Sequence, residues 1–298
     1  METVGFIGLG IMGRPMARNL VKGGFKVIGT DVNKAVFAEL EKDGVKCVNS
    51  IAELAAQCGV IIAILPSPAV SMDVAFGEGG IAANAKPGAL YVEMSSLTPV
   101  TVRQIHDGLK EKGIKMLDAP VSGGEGKAID ASLAIMAGGA KEDFDRAVPV
   151  FRPMSETITR TGEIGSGCMT KLANQIIVGV NIAGVAEALA LAAKGGVDPA
   201  VVFEAIRGGF AGSVVMETKA PMMLDRNFEP GARVEIHMKD MVNVLETAHA
   251  LSAPVPMAAL VMEIMQSLKA NGMAKDDHSC MVRFYEMLGN VEVKRGGC

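Results

Sequence analysis

Lys171 is the residue with the clearest potential for chemistry in this chain. It follows a glycine-rich turn, Gly165-Ser166-Gly167, and comes at the start of a long stretch predicted to be helical. A lysine near a helix N-terminus faces partial positive charge, and partial burial adds a desolvation cost; both effects lower its pKa toward neutral pH. Lys171 is therefore a candidate general acid that protonates a carbonyl oxygen. Gln175, one helical turn later, shares its face and is a candidate substrate-binding residue.

A second segment has the residue types of an anion-binding turn. Ser122, Gly123 and Gly124 follow a predicted strand, Lys115–Ala119, at its carboxyl end, where ligands bind in open α/β sheets. Ser122 offers a hydroxyl donor, and the two glycines allow backbone N–H groups to converge on an anion. The turn is a candidate site for a substrate carboxylate. An ordinary strand-to-loop turn is the alternative interpretation.

The N-terminal segment contains a Gly-x-Gly-x-x-Gly turn at Gly8, Gly10 and Gly13, between a predicted strand, Thr3–Ile7, and a predicted helix, Pro15–Lys22. In dinucleotide-binding proteins the first glycine permits the tight turn. The second lets the backbone approach a pyrophosphate, and the third lets helix and strand pack closely. The free N–H groups of the helix start then bind the pyrophosphate. A glycine turn in a different α/β fold is the alternative.

Asp31 supports the dinucleotide interpretation. It ends the second predicted strand, Lys26–Thr30, and an acidic residue about 20 positions after the first glycine hydrogen-bonds the adenosine ribose. Its charge would repel a 2′-phosphate, and the following residue, Val32, is not the arginine expected beside NADP. The predicted cofactor is NAD, with NADP possible.

Strands and helices alternate in the first half of the chain, which predicts a mainly parallel, doubly wound sheet. The remaining predicted strands are Val60–Ile64, Leu90–Glu93, Ala134–Gly138 and Thr157–Arg160. After Gly162 helical patterns dominate. The fold class is therefore α/β: a Rossmann sheet over residues 1–162 that binds NAD(P), then an all-helical domain over residues 163–298 for substrate binding and oligomerisation, joined by a long helix.

Composition excludes several other classes of function. The chain has 298 residues, 49% of them hydrophobic, and a net charge of −4, so no broad basic surface indicates nucleic-acid binding. The five cysteines are scattered and lack metal-ligand spacing, which favours a reducing compartment and no bound metal. No basic segment precedes the first strand, so we expect a cytoplasmic protein.

The stretch Leu172–Ala193 is apolar enough to be mistaken for a membrane span. Polar side chains interrupt it, and such residues are costly in the middle of a bilayer; they are Asn174, Gln175, Asn181 and Glu187. We expect no membrane insertion. A helix that is apolar almost all round is predicted to pack between domains and against another subunit, giving a homo-dimer or homo-tetramer.

Together these motifs resemble the β-hydroxyacid dehydrogenase family, which includes 3-hydroxyisobutyrate dehydrogenase. The resemblance rests on the segments 5–16, 118–124 and 165–171 and on Lys239-Asp240. It implies that Lys171 is the catalytic lysine and that Ser122, Gly123 and Gly124 bind the substrate carboxylate. It also implies a set of cofactor-binding residues: Gly8, Gly10, Ile11, Met12, Gly13, Asp31, Ser96 and Lys239.

Within that family, the segments 161–165, 170–175, 205–213 and 220–228 are similar to the branch that reduces tartronate semialdehyde. The resemblance implies NAD(P)H-dependent reduction of 2-hydroxy-3-oxopropanoate, a small carboxylate, to glycerate. The alternatives are a dehydrogenase of 3-hydroxyisobutyrate or another short 3-hydroxy acid, and a reductase of succinic semialdehyde or glyoxylate. A non-catalytic dinucleotide-binding sensor would not require Lys171. Many family members have asparagine where this chain has Gln175.

Overall fold

The computed structural model describes residues 3–296, and the chain divides into two compact units, Met1–Lys171 and Leu172–Cys298. The division lies inside a 29-residue helix that begins at Ser166, beyond the boundary predicted at residue 162. The first turn of this helix belongs with the first unit because Cys168 is part of that unit's hydrophobic core.

The first unit is built on a nine-stranded sheet. Its strands are β1 Thr3–Ile7, β2 Lys26–Thr30, β3 Lys46–Cys47, β4 Val60–Ala63, β5 Leu90–Glu93, β6 Lys115–Asp118, β7 Val121–Ser122, β8 Leu133–Gly138 and β9 Ser155–Gly162. They run in the order β3-β2-β1-β4-β5-β6-β8-β7, with β9 beside β8. Pairing is parallel except where β8 meets β6 and β7. The crossover between β3 and β4, on opposite sides of β1, gives the doubly wound arrangement.

Helices cover both faces of this sheet. They are α1 Gly13–Lys22, α2 Phe37–Lys42, α3 Ile51–Ala55, α4 Pro68–Phe76, α5 Ile81–Asn84, α6 Pro99–Lys110, α7 Gly124–Ile129 and α8 Lys141–Phe151. Successive residues of β4 show why: Val60 and Ile62 join one hydrophobic cluster, while Ile61 and Ala63 join another. Side chains alternate across a strand, so an uninterrupted apolar strand needs cover on each face.

The second unit is helical over its described residues. After α9, Ser166–Lys194, come α10 Pro199–Ile206, α11 Val214–Leu224, α12 Val234–Ala250, α13 Pro256–Ala270 and α14 Met281–Gly289. Side-chain caps define two of the helix starts, because Asp198 accepts from the N–H of Ala200 and Ser213 accepts from that of Met216. One hydrophobic cluster, contributed by every helix from α9 to α14, forms the core.

The predicted α/β fold class is confirmed, with a parallel Rossmann sheet followed by helices. The elements that the sequence did not reveal are short: β3 and β7 have two residues each, α5 has four and α7 has six. Segments of that length are too short to show a repeated hydrophobic pattern. Helix α8 ends at Phe151, where a single 3-10 turn with Pro153 leads into β9.

Among residues 3–296, α9 alone is long and apolar enough to cross a membrane. Of its most apolar 18-residue stretch, 39% is buried within the chain. Core helices of proteins that never enter a bilayer meet the same criteria of length and composition.

Candidate active site

The glycine turn after β1 is fixed by backbone contacts at two of its three glycines. Gly8 has φ +91°, and a Cβ there would lie 2.3 Å from the carbonyl oxygen of Ile64. A Cβ on Gly13 would lie 1.8 Å from the carbonyl oxygen of Gly8. Helix α1 therefore packs against the turn so closely that only glycine fits at either position.

Gly10 differs from its neighbours in the turn, because a Cβ there would meet no atom of the chain within 4 Å. Packing within the chain does not require glycine at this position, whereas close approach of a pyrophosphate does. Ile11 beside it is 50% exposed. Helix α1 begins at Gly13 without a side-chain cap and without an acidic residue in its first turn. Its first N–H groups are suited to binding an anion.

Asp31, at the end of β2, faces the glycine turn. One carboxylate oxygen accepts from the N–H of Leu9 at 2.6 Å, and the other accepts from the N–H of Asn33 at 2.7 Å. Ionised carboxylates have about four lone-pair sites, so both oxygens can also accept from a ribose hydroxyl. Val32 is 99% exposed. Asp31 therefore both orders the turn and offers the acceptor that a dinucleotide ribose needs.

The loop that carries Ser96 is held by a buried carboxylate. Glu93, the last residue of β5, is fully buried and accepts from the N–H of Ser95 and the hydroxyl of Tyr91. Burial raises the pKa of Glu93, although these donors oppose the shift. The hydroxyl oxygen of Ser95 accepts from the N–H of Leu65 at 2.7 Å. Ser96 thus lies on a loop that is fastened to the ends of both β4 and β5.

The predicted anion turn has the geometry that its glycines suggested. Ser122 ends β7 and is half-buried. Gly123 has φ +140° and Gly124 has φ +68°, two successive conformations that disfavour other residues. Gly124 is also the first residue of α7. The turn combines consecutive glycine N–H groups with the start of a helix, and it can bind a carboxylate.

Lys171 is 7% exposed and lies in the second turn of α9. The start of this helix has no local side-chain cap, because Gly165 precedes it. Asp118 supplies the cap from β6: its two oxygens accept from the N–H groups of Gly165 and Cys168 at 2.8 and 2.7 Å. The same Asp118 opens the chain segment that leads into Ser122, Gly123 and Gly124.

Asp118 and Cys168 form a buried junction below this helix start. Burial raises the pKa of the Asp118 carboxyl, and the N–H groups of Cys168 and Gly165 act in the opposite direction. Burial also raises the pKa of the Cys168 thiol well above its usual range, and the negative charge of Asp118 adds to this shift. Cys168 is consequently a protonated core thiol, and its sulfur is a poor nucleophile.

In the second unit, Gln175 contacts residues of α12. Its amide nitrogen donates to Asp240 at 2.6 Å, and its amide oxygen accepts from Asn174 at 2.8 Å. Asp240 is 4% exposed, and its other oxygen lies 3.3 Å from the ammonium of Lys239. Gln175 and Lys239, predicted as separate substrate and cofactor residues, are thereby joined through Asp240.

A histidine pair connects the same two helices. The Nε2 atom of His237 lies 3.2 Å from the carbonyl oxygen of Gln175, and the Nδ1 atoms of His237 and His278 are 3.0 Å apart. A carbonyl oxygen can only accept, so Nε2 of His237 carries a hydrogen, and one Nδ1 atom of the pair donates to the other. Burial, followed by the positive charges of His237 and Lys219, lowers the pKa of His278 to about 3.

Two residues that hold the site together, Glu93 and Asp118, are absent from the sequence-based assignments. They are paired neighbours in the sheet register, and both are fully buried. The sequence contains a signal for both residues, because each is an acidic residue that directly follows apolar residues at the carboxyl end of a strand. Within residues 3–296, no group of three or more His, Cys, Asp and Glu side chains could hold a metal ion.

Comparison with known proteins agrees with this geometry. Residues 3–162 match the family described as the NAD binding domain of 6-phosphogluconate dehydrogenase. Residues 165–285 match the family described as NAD-binding of NADP-dependent 3-hydroxyisobutyrate dehydrogenase. The two matches together span both units.

Individual relatives cover nearly the whole chain. The 2-hydroxy-3-oxopropionate reductase of Escherichia coli (strain K12) is 38% identical over 287 residues, 96% of this chain and 98% of that protein. The L-threonate dehydrogenase of Cupriavidus necator is 32% identical, covering 98% and 99%. The structure of Mycobacterium tuberculosis 3-hydroxyisobutyrate dehydrogenase with L-serine superposes with a TM-score of 0.87 at 31% identity, covering 95% of this chain and 98% of that one.

Fold, glycine turn and relatives lead to one assignment. The cofactor is a nicotinamide dinucleotide, NAD or NADP. The chain belongs to the 3-hydroxyisobutyrate dehydrogenase-like family and is an NAD(P)-dependent hydroxyacid oxidoreductase.

Proposed function

We propose that this protein reduces tartronate semialdehyde to glycerate with NADH. The ammonium of Lys171 gives a proton to the carbonyl oxygen of the substrate, and a nicotinamide held in the cofactor site would supply the hydride to the aldehyde carbon. The products are NAD⁺ and an alcohol, and solvent reprotonates the lysine. Ser122, Gly123 and Gly124 hold the substrate carboxylate. The glycine turn over residues 8–13, Asp31, Ser96 and Lys239 hold the cofactor.

The observation that carries this proposal is the placement of Lys171. It is buried in a helix whose start is capped by Asp118, the residue from which the carboxylate-binding turn departs. A proton donor and a carboxylate site anchored to one residue suit a short substrate that bears both a carbonyl and a carboxylate. The 38% identity to the Escherichia coli 2-hydroxy-3-oxopropionate reductase supports the choice of substrate within this class.

The second candidate keeps the mechanism and changes the substrate. Relatives named for L-threonate and for 3-hydroxyisobutyrate are 32% and 31% identical, so oxidation of another short 3-hydroxy acid is the alternative. Reduction of succinic semialdehyde or glyoxylate belongs to the same alternative. Gln175 can take part in substrate binding through its second amide hydrogen or through the second lone pair of its amide oxygen, because Asp240 and Asn174 each use one position of the group.

A steady-state assay tests both the reaction and the substrate. The wild-type protein is assayed with tartronate semialdehyde, succinic semialdehyde, glyoxylate and methylmalonate semialdehyde, each with NADH and NADPH, and with 3-hydroxyisobutyrate and L-threonate in the oxidative direction. We expect the highest kcat/KM for tartronate semialdehyde. A higher kcat/KM for another of these compounds would refute the assignment of tartronate semialdehyde as the substrate, but it would leave the class of reaction unchanged.

The role of Lys171 is tested by Lys171→Ala, with Lys194→Ala at the exposed far end of the same helix as the matched control. Loss of a general acid lowers kcat by about 10²–10⁴-fold, while NADH binding measured by fluorescence should change little. Lys194→Ala should behave as the wild type. A Lys171→Ala protein that retains half of the wild-type kcat would refute the assignment.

We also propose a cytoplasmic homo-oligomer, a dimer or tetramer, that involves neither nucleic acid nor membrane. Apolar side chains of α9 remain outside the core of a single chain: Ile177 is 66% exposed and Leu191 is 74% exposed. Burial of such side chains between copies is favourable by about 1.5–3 kcal/mol each. Light scattering at micromolar concentration should give a mass above that of one chain, whereas a fully active monomer would contradict the proposal.

A further inference from the structure

We infer that Asp118 is a positioning residue for the proton donor, fixing Lys171 relative to the carboxylate-binding turn. This inference rests on the proposed function of Lys171. Asp118 does not need to touch substrate or cofactor in this role. It acts by fastening the start of α9 to the end of β6.

The carboxylate of Asp118 holds α9 at two points. Its oxygens accept from Gly165 and Cys168, which lie 47 and 50 residues later in the chain, on either side of the first helical residue. These bonds satisfy N–H groups that a helix start otherwise leaves unpaired. Lys171 follows Cys168 by one helical turn, so the register of the helix against β6 determines where its ammonium lies.

Close packing around these bonds leaves the helix start little freedom. A Cβ on Gly167 would lie 2.4 Å from the carbonyl oxygens of both Asp118 and Met136. A Cβ on Gly138 would lie 2.4 Å from the Oδ1 atom of Asp118. The first turn of α9 therefore contacts the backbones of β6 and β8 directly, and interiors packed in this way transmit small displacements.

Asp118 also begins the segment that ends at the anion turn. Four residues after it, Ser122 pairs with Ala134 of β8, and Gly123 follows. The carboxylate of Asp118 thus holds the start of α9, which carries Lys171, against the end of β6. The chain continues from that strand end to the carboxylate-binding turn. Displacement of reacting groups by about 1 Å can lower the rate by roughly 10²-fold. Loss of the cap should consequently reduce turnover even when both ligands still bind.

A double-mutant cycle between Asp118→Asn and Lys171→Ala separates positioning from stability. Asparagine keeps one acceptor and turns a donor toward an N–H group, so it breaks one of the two bonds. All rates are normalised to the number of sites that bind NADH. In the wild-type background we expect Asp118→Asn to lower kcat by about 10- to 100-fold with a smaller change in KM. In the Lys171→Ala background it should change kcat by less than about twofold, because it acts through the lysine.

Glu93→Gln is the matched control. Glu93 is equally buried and lies beside Asp118 in the register, but it accepts hydrogen bonds from Tyr91 and Ser95, which lie outside α9. Its effect on kcat, whatever its size, should be the same factor in both backgrounds. Hydrogen exchange of the backbone amides at the start of α9, measured by mass spectrometry, should accelerate in Asp118→Asn and not in Glu93→Gln.

Equal losses from Asp118→Asn in both backgrounds would overturn the inference, as would full kcat in the single variant. If Asp118→Asn binds no NADH, Asp118→Glu is carried through the same cycle, since it retains two acceptor oxygens one methylene further out. High activity of Lys171→Ala itself would refute the proposed function. If Lys171→Ala is inactive but Asp118→Asn keeps the wild-type kcat, the proposed function stands and only the positioning role of Asp118 is refuted.

Discussion

The glycine turn of the first unit and the polar cluster of the second unit solve different physical problems. At the turn, helix α1 begins without a side-chain cap, and its N–H groups are available to a ligand. In the cluster, the side-chain amide of Gln175 forms hydrogen bonds with Asp240 and Asn174. The backbone carbonyl oxygen of Gln175 lies within hydrogen-bond distance of His237. The first arrangement is suited to bind an anion, whereas the second is suited to keep two helices in a fixed register.

Substitutions in the glycine turn should have the largest effects. A glycine that is packed against the backbone and a glycine that has room for a Cβ should respond differently to alanine. Gly13→Ala places a Cβ 1.8 Å from the Gly8 oxygen, so backbone displacement is unavoidable. We expect loss of NADH binding together with a fall in thermal stability of several degrees, measured by fluorescence titration and calorimetry. Gly10→Ala has room within the chain. It should keep the wild-type melting temperature and still weaken NADH binding.

The contrast between these two variants is the informative result. Equal melting temperatures and equal NADH affinities for Gly10→Ala and the wild type would show that no ligand approaches Gly10. The same outcome for Gly13→Ala would contradict the packing of α1 against the turn.

Substitution of Asp31 should change the preference between NADH and NADPH, and we expect this effect to be smaller than the loss of NADH binding in the glycine turn. Replacing Asp31 with serine would remove the repulsion of a 2′-phosphate but also the acceptor for Leu9. Asp31→Asn with Val32→Arg keeps an acceptor, removes the charge and adds a phosphate partner. Hydrogen bonds to charged groups contribute about 1.5–3 kcal/mol, so the NADPH-to-NADH ratio of kcat/KM should rise roughly 10- to 100-fold. Asp31→Asn alone is the control, and an unchanged ratio in the double variant would place the ribose elsewhere.

The parts of the molecule that were predictable are those with local causes. The strands β1, β2 and β5 have the predicted limits, since their hydrophobic patterns lie within the segments themselves. The turn at residues 8–13 was predictable because close backbone contacts leave glycine as the only choice at Gly8 and Gly13. In each case the sequence carries the constraint at the position where it acts.

The parts that were not predictable depend on contacts between distant segments. The bond from Asp118 to Cys168 spans 50 residues, and that from Gln175 to Asp240 spans 65. Neither has a fixed spacing that a single sequence could reveal. His278 illustrates the same limit: no sequence pattern linked it to His237, 41 residues earlier, although the two rings share a hydrogen bond.

The polar cluster of the second unit should affect how the free energy of unfolding depends on pH. We expect this to be the smallest of the predicted effects. Burial, with the positive charges of His237 and Lys219, lowers the pKa of His278 to about 3 from an ordinary value of 6.5. Between these values the unfolded chain binds a proton that the folded chain does not. Unfolding free energy is therefore fully retained above about pH 6.5 and falls as the pH is lowered, by at most about 1.4 kcal/mol per unit for one group.

The measurement is chemical denaturation between pH 7 and pH 4.5. This range avoids the titration of Asp277, whose pKa is held below its usual range by neighbouring positive charge despite its burial. His278→Asn, which keeps a donor near the position of Nδ1, should flatten the slope relative to the wild type. His249→Asn, at an exposed position of α12, is the control and should leave the slope unchanged. An identical slope in His278→Asn and the wild type would mean that His278 is protonated as readily in the folded chain as in the unfolded one, and the lowered pKa of His278 would then be wrong.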